Sequence, residues 1–161
     1  MLVHGPRSLI AAILISCVLP ATSFAAPAQA PTAAMMAPVR RIVTFVNTGA
    51  GIPAGTYAAG ATITDEFAPF HWTSADAGTL WSTGFTTSNN AAGITKPHIV
   101  LGAPTEYVAS ATRAYIVFPG RFTPFFHDKP FVETGYWTFV VVKAGVGWRV
   151  ASQAWAGVTF K

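Results

Sequence analysis

The sequence predicts an α+β domain. Three observations lead there: apolar residues recur at three- and four-residue steps early in the chain, β-branched and aromatic residues crowd its last third, and glycine- or aspartate-bearing turns divide that third into strands. Of 161 residues, 52% are hydrophobic and 10% are charged, against about 25% charged in an average domain. Such a chain is mostly interior, and a domain of about 130 residues buries enough surface to stand without cross-links.

The first helix is marked by Met35, Val39, Ile42, Val43 and Val46, with Arg40, Arg41, Thr44 and Asn47 falling between them. Asn47-Thr48-Gly49 ends it. Pro53 suits the first turn of a second, shorter helix running through Tyr57 to Ala61. Ile63 to Thr73 reads as extended, interrupted by Pro69. Ser74 is placed to cap a third helix whose buried face carries Leu80, Trp81 and Phe85, although Gly84 and the neighbouring threonines oppose helix. From Lys96 onward the chain is strand-like. Ala114 to Phe118, Phe131 to Val142 and Trp148 to Thr159 are the strands, and His127-Asp128-Lys129 and Ala144-Gly145-Val146-Gly147 are the hairpin turns between them. No internal repeat is present.

Ahead of the domain, Arg7 precedes the apolar run Leu9 to Ile15, which continues through Cys17-Val18-Leu19 and stops at Pro20. Ser23-Phe24-Ala25 then offers small residues where a signal peptidase cuts, so Met1 to Ala25 is expected to be removed and the mature protein to be periplasmic or secreted. A membrane anchor would need about 20 apolar residues, and Pro20 and Thr22 interrupt the run before that. The alternative is a lipoprotein, because Leu14-Ile15-Ser16-Cys17 has the form of a lipobox, with Cys17 as the lipid-bearing mature N-terminus. Cys17 is the only cysteine, so a chain cut after Ala25 holds no disulfide. Ala26 to Ala34 is an Ala/Pro-rich tether with nothing to pack. The domain is therefore expected to span 35–161, and a chain begun at Met35 to be as stable as one begun at Ala26.

The formal charge of +4 is spread along the chain, with only Arg40 and Arg41 adjacent. A nucleic-acid surface needs basic residues clustered on one face, so no nucleic-acid partner is expected. Nor is a membrane partner once the signal is gone, unless Cys17 carries a lipid.

The Thr64-Asp65-Glu66-Phe67 segment and the tail Arg113-Ala114-Tyr115-Ile116-Val117, Lys129-Pro130-Phe131-Val132-Glu133-Thr134-Gly135-Tyr136-Trp137-Thr138-Phe139 and Gly147-Trp148-Arg149-Val150-Ala151 follow the leading helices in order. In this the chain resembles the nuclear transport factor 2-like superfamily, in its bacterial SnoaL-like branch. The resemblance implies a cone: a strongly bent antiparallel sheet wrapped around three helices, with a pocket between them. It implies no single activity, because that fold carries isomerases, dehydratases, cyclases, hydrolases and non-catalytic modules. It also implies a homodimer formed through the outer face of the sheet.

Residues expected to line such a pocket are Tyr57, Phe67, Trp72, Trp81, Phe85, Tyr115, Trp137 and Trp155, with Tyr136 and Trp148 read as structural. Enzymes of the superfamily place a carboxylate, or a carboxylate and histidine pair, inside the cone, where burial raises the carboxylate pKa. Asp65 and His71 match that pair, being six residues apart and of equal parity on an extended segment. Glu66 and Glu133 are alternatives. His71, His98 and His127 are far apart and lack the spacing of a zinc site, so no metal is expected. No phosphate loop, nucleophile elbow or dinucleotide fingerprint is present, so no cofactor is expected either. Two functions follow: a non-catalytic exported module binding a small apolar or aromatic molecule or a protein partner, or a cofactor-independent isomerase, lyase or hydrolase using Asp65 and His71.

Overall fold

The computed structural model describes residues 30–161. The predicted signal segment and residues 26–29 of the tether lie outside them. Helix α1 spans Ala33–Thr48 and buries Met35, Val39, Ile42, Phe45 and Val46, the face that the periodicity marks. Thr32 caps it, its hydroxyl accepting a hydrogen bond from the Met35 N–H at 3.3 Å. At the far end Gly49 takes a left-handed φ of 70° and donates to the Phe45 carbonyl. The helix thus begins inside the expected tether, and Arg40 also reaches back to the Ala33 carbonyl at 2.7 Å. A chain begun at Met35 loses the cap and the first turn, so rather than matching one begun at Ala26 it should be less stable by about 1 kcal/mol. Equal urea midpoints for the two would show that the cap contributes nothing.

The expected second helix is a strand, β1, Tyr57–Thr64. Pro53 belongs instead to a turn, where its carbonyl accepts from the Thr56 N–H and hydroxyl. Ala61 and Ile63 point into the core while their neighbours do not. Pairing with the end of the chain decides the conformation here over local propensity. Strand β2, His71–Thr73, runs antiparallel to β1. Helix α2 spans Ala77–Ala91, with Asp76 at the cap position and Ser74 just before it, accepting from the Asp76 N–H. Gly84 sits in this helix because the Phe67 and Trp72 rings close over it, 3.1 and 3.5 Å from where a Cβ would stand. The described residues therefore hold two helices where three were expected.

The remaining strands are β3 (Ile94–Thr95), β4 (Ile99–Leu101), β5 (Glu106–Ala109), β6 (Arg113–Phe122), β7 (Phe125–Phe126), β8 (Lys129–Pro130), β9 (Glu133–Ala144) and β10 (Gly147–Phe160). The turn at Gly145-Val146 joins β9 to β10 as expected. His127 and Asp128, both at positive φ, turn β7 into β8, but that hairpin belongs to a small ribbon with β3. The main sheet has seven strands in the order β2-β1-β10-β9-β6-β4, with β5 also on β6. It is mixed rather than purely antiparallel, since β1 runs parallel to β10.

The inner face of this sheet supplies Ile63, Trp72, Ile116, Phe118, Trp137, Phe139 and Val141, all buried against Val39, Ile42 and Val46 of α1 and Trp81 of α2. Toward one end, Gly120, Gly135 and Gly157 stand side by side on β6, β9 and β10. A Cβ on Gly135 would overlap the Ala156 backbone, and one on Gly120 would overlap the Trp155 ring. This row without side chains lets neighbouring groups approach the sheet backbone closely. The result is the expected α+β cone.

Candidate functional site

A cavity of about 170 Å³ lies between the helices and the sheet. Its walls are mostly apolar: Val46 of α1, Trp81 and Phe85 of α2, Ile94, Ile99, Phe122, and Trp137 and Trp155 from the long strands. Phe118, Trp137 and Trp155 face one another in register across β6, β9 and β10, and the Trp137 and Trp155 rings meet edge to face at 6.1 Å.

Three carboxyl groups enter this apolar wall: Asp65, Glu66 and Glu133. Asp65 follows β1 directly and is held by the Trp81 indole N–H at 2.8 Å and by the Glu66 backbone N–H at 2.8 Å. Burial lifts its pKa from 3.8 to about 6, opposed by those two hydrogen bonds and helped by the Glu66 charge. Glu133 opens β9 on the inward parity of Trp137 and Phe139 and accepts from the Trp155 indole. Burial again leads, raising it from 4.5 to about 7; the Trp155 bond opposes, while the charge of Glu66, a hydrogen bond shared with Glu66 and the charge of Asp65 add to the rise. Glu66 also accepts from the Gly157 N–H. Any side chain at Gly157 would press on the Glu133 and Glu66 oxygens, so the carboxyl pair depends on that glycine.

Two buried donors on residues of this wall have no acceptor among the described residues. They are the Trp137 indole N–H and the Asn89 side-chain N–H, both buried. A buried N–H left unpaired costs about 1–3 kcal/mol.

Of the residues predicted from sequence, Asp65, Phe67, Trp81, Phe85, Trp137 and Trp155 line the cavity together. Four others do not. His71 is exposed, because the chain reverses between Asp65 and His71, and Asp65 follows β1 on the inward side with Ile63 while His71 pairs with outward Thr64. Equal parity holds only along one continuous strand, so the expected dyad does not form. Tyr115 is 42% exposed, since alternation on β6 turns Ala114, Ile116 and Phe118 inward and Tyr115 out. Trp72 is buried behind Phe67, 5.1 Å between rings, without reaching the cavity wall. Tyr57 packs against Gly78 of α2 and bonds Gln153 at 2.8 Å; burial, with the Asp65 charge, pushes its hydroxyl pKa up. Tyr136, read as structural, is 46% exposed on the outer face, and Trp148 is only partly buried.

Sequence reasoning does not single out Asn89, although it continues the Trp81, Phe85 four-residue step along α2. It names Glu133 without an orientation, although parity with Trp137 and Phe139 could supply one. Among the described residues, no group of three or more His, Cys, Asp or Glu is placed to hold a metal ion.

No family model matches the sequence. No curated protein matches it either. Solved structures do match. A nuclear transport factor 2-like superfamily protein from Salmonella enterica superposes with a TM-score of 0.61 at 15% identity, over 76% of this chain and 87% of that one. This chain has the NTF2-like fold. A protein from Kribbella flavida shares that fold with it at a TM-score of 0.65 and 14% identity, over 80% of this chain and 91% of the other. A hexachlorocyclohexane dehydrochlorinase from Novosphingobium barchaimii does so at 0.67 and 10%, over 80% and 87%. At such identities the likeness is one of NTF2-like architecture, and the chemistry must be read from the cavity itself.

Proposed function

We propose that the mature domain is an exported, non-catalytic module that binds a small neutral molecule of single-ring size through the open end of its cone. The observation that carries this is the apolar cavity between helices and sheet, walled by Trp81, Phe85, Trp137 and Trp155. The size supports it: an engineered apolar cavity of about 150 Å³ holds benzene, and this one measures about 170 Å³. The NTF2-like dehydrochlorinase is named for a six-membered ring, a molecule of that scale. The wall carries Asp65, Glu66 and Glu133 and no cation, which favours a neutral guest over an anion. Export rests on Arg7 and the apolar run after it; among the described residues no helix is long and apolar enough to cross a membrane.

Titration with toluene and with cyclohexanone, followed by tryptophan fluorescence, tests the reading. Both should bind saturably. Trp137→Phe trims the apolar wall, so affinity for both should fall by about 2–5-fold. Failure of both to saturate would refute the binding site.

A second reading is supported by the same two carboxyl groups, whose raised pKa values suit them to give and take protons at neutral pH. Under it the module is a cofactor-independent isomerase, lyase or hydrolase, with Asp65 and Glu133 in place of Asp65 and His71. Any turnover found would then drop by about 10² in Asp65→Asn or Glu133→Gln with binding retained. We expect no turnover dependent on either residue.

A further inference from the structure

A second cavity, of about 390 Å³, adjoins the first, and Val46, Phe85, Asn89 and Ile94 line both. The two differ in chemistry. The first carries Asp65, Glu66 and Glu133 and no cation; the second carries no carboxylate and has Lys96 as its one charged side chain. Hydroxyl and amide groups of Thr86, Asn90 and Thr95 make up much of the rest of its wall. Asn89 stands on the shared wall, and its buried side-chain N–H has no acceptor. The Lys96 ammonium lies 5.0 Å from the centre of the Phe125 ring, and its backbone takes a left-handed φ of 49° between β3 and β4.

We propose that the two cavities form one elongated, polarised site for an amphipathic carboxylic acid, with its ring in the cone and its carboxylate reaching Asn89 and Lys96. The charge distribution fixes the direction. A carboxylate placed in the first cavity would face three carboxyl groups, whereas the second has the Asn89 amide and the Lys96 ammonium among its lining residues and no carboxylate, and charge-assisted hydrogen bonds are the stronger kind. The apolar residues common to both cavities provide the path for a short alkyl link. Asn89 is thereby a specificity residue, reading the junction between ring and tail.

The proposal rests on the cone binding a ring, and the test separates the two. Calorimetric titration uses toluene, 4-phenylbutyrate and its neutral counterpart 4-phenyl-1-butanol. The acid should bind at least about tenfold more tightly than the alcohol. That advantage should vanish in Lys96→Gln, with toluene affinity unchanged there, and shrink in Asn89→Leu. Lys96 is exposed, so Lys96→Gln remains a valid test even if Asn89→Leu folds poorly. Toluene binding with no preference for the acid would overturn the polarised site and leave the ring site standing. Absence of toluene binding would overturn both.

Discussion

Trp81→Ala should leave the domain largely unfolded at room temperature. Trp81 is 1% exposed and its ring meets Phe45 at 5.5 Å, Phe85 at 5.8 Å and Trp137 at 6.4 Å. Truncating such a residue costs about 3–5 kcal/mol in packing and cavity. The Asp65 carboxyl would also lose its indole donor, adding about 1–3 kcal/mol. Against a total stability of about 5–15 kcal/mol for a domain, that is most of what holds it. Trp81→Phe keeps much of the packing and loses only the bond, so it should fold with a lowered midpoint. Thermal melts by circular dichroism separate the two, and a Trp81→Ala melt within a few degrees of the parent would remove Trp81 from the centre of the core.

The second large effect is on pH. Asp65 and Glu133 both have folded-state pKa values above their unfolded ones, about 6 against 3.8 and about 7 against 4.5. The folded state therefore holds protons that the unfolded state releases at lower pH. The resulting stability is fully present below the unfolded values and is lost as pH rises through about 6 and about 7. A tenfold difference in proton affinity between the two states is worth about 1.4 kcal/mol. Solvent reaches half-buried Asp65, so the two groups together should amount to on the order of 2 kcal/mol. Urea unfolding at pH 5 and pH 8 should show the protein more stable at the acidic value, and Asp65→Asn with Glu133→Gln should flatten the difference. Greater stability at pH 8 would mean that these groups are held as carboxylates.

How far the site can be read from sequence depends on whether a residue's direction is set locally. Val39, Ile42 and Val46 declare the buried face of α1 because helical periodicity is a local rule. Trp137 and Glu133 share a strand parity, which equally could place Glu133 inside. Tyr57 to Ala61 mislead because small residues after a proline suit a helix, while their actual partner, Val150 to Ala154, lies almost a hundred residues away. Asp65 and His71 mislead because a turn between them cancels the parity argument. The pairing of Glu66 with Glu133 and Gly157 joins three separate parts of the chain, and nothing in any one of them announces the others.

The place of β10 in the sheet bears on how the molecule is made. The last strand of the chain lies between β1 and β9, parallel to the first strand and antiparallel to its own predecessor. Until the ribosome has released residues up to Phe160, β1 and β2 have no sheet to join, and the floor of the cone stays open on one side. Long-range parallel pairing of this kind is intrinsically slow. A newly synthesised chain is therefore held back from its native state until β10 has been made, which suits the proposed export, in which the polypeptide would cross a membrane unfolded before its cone closes.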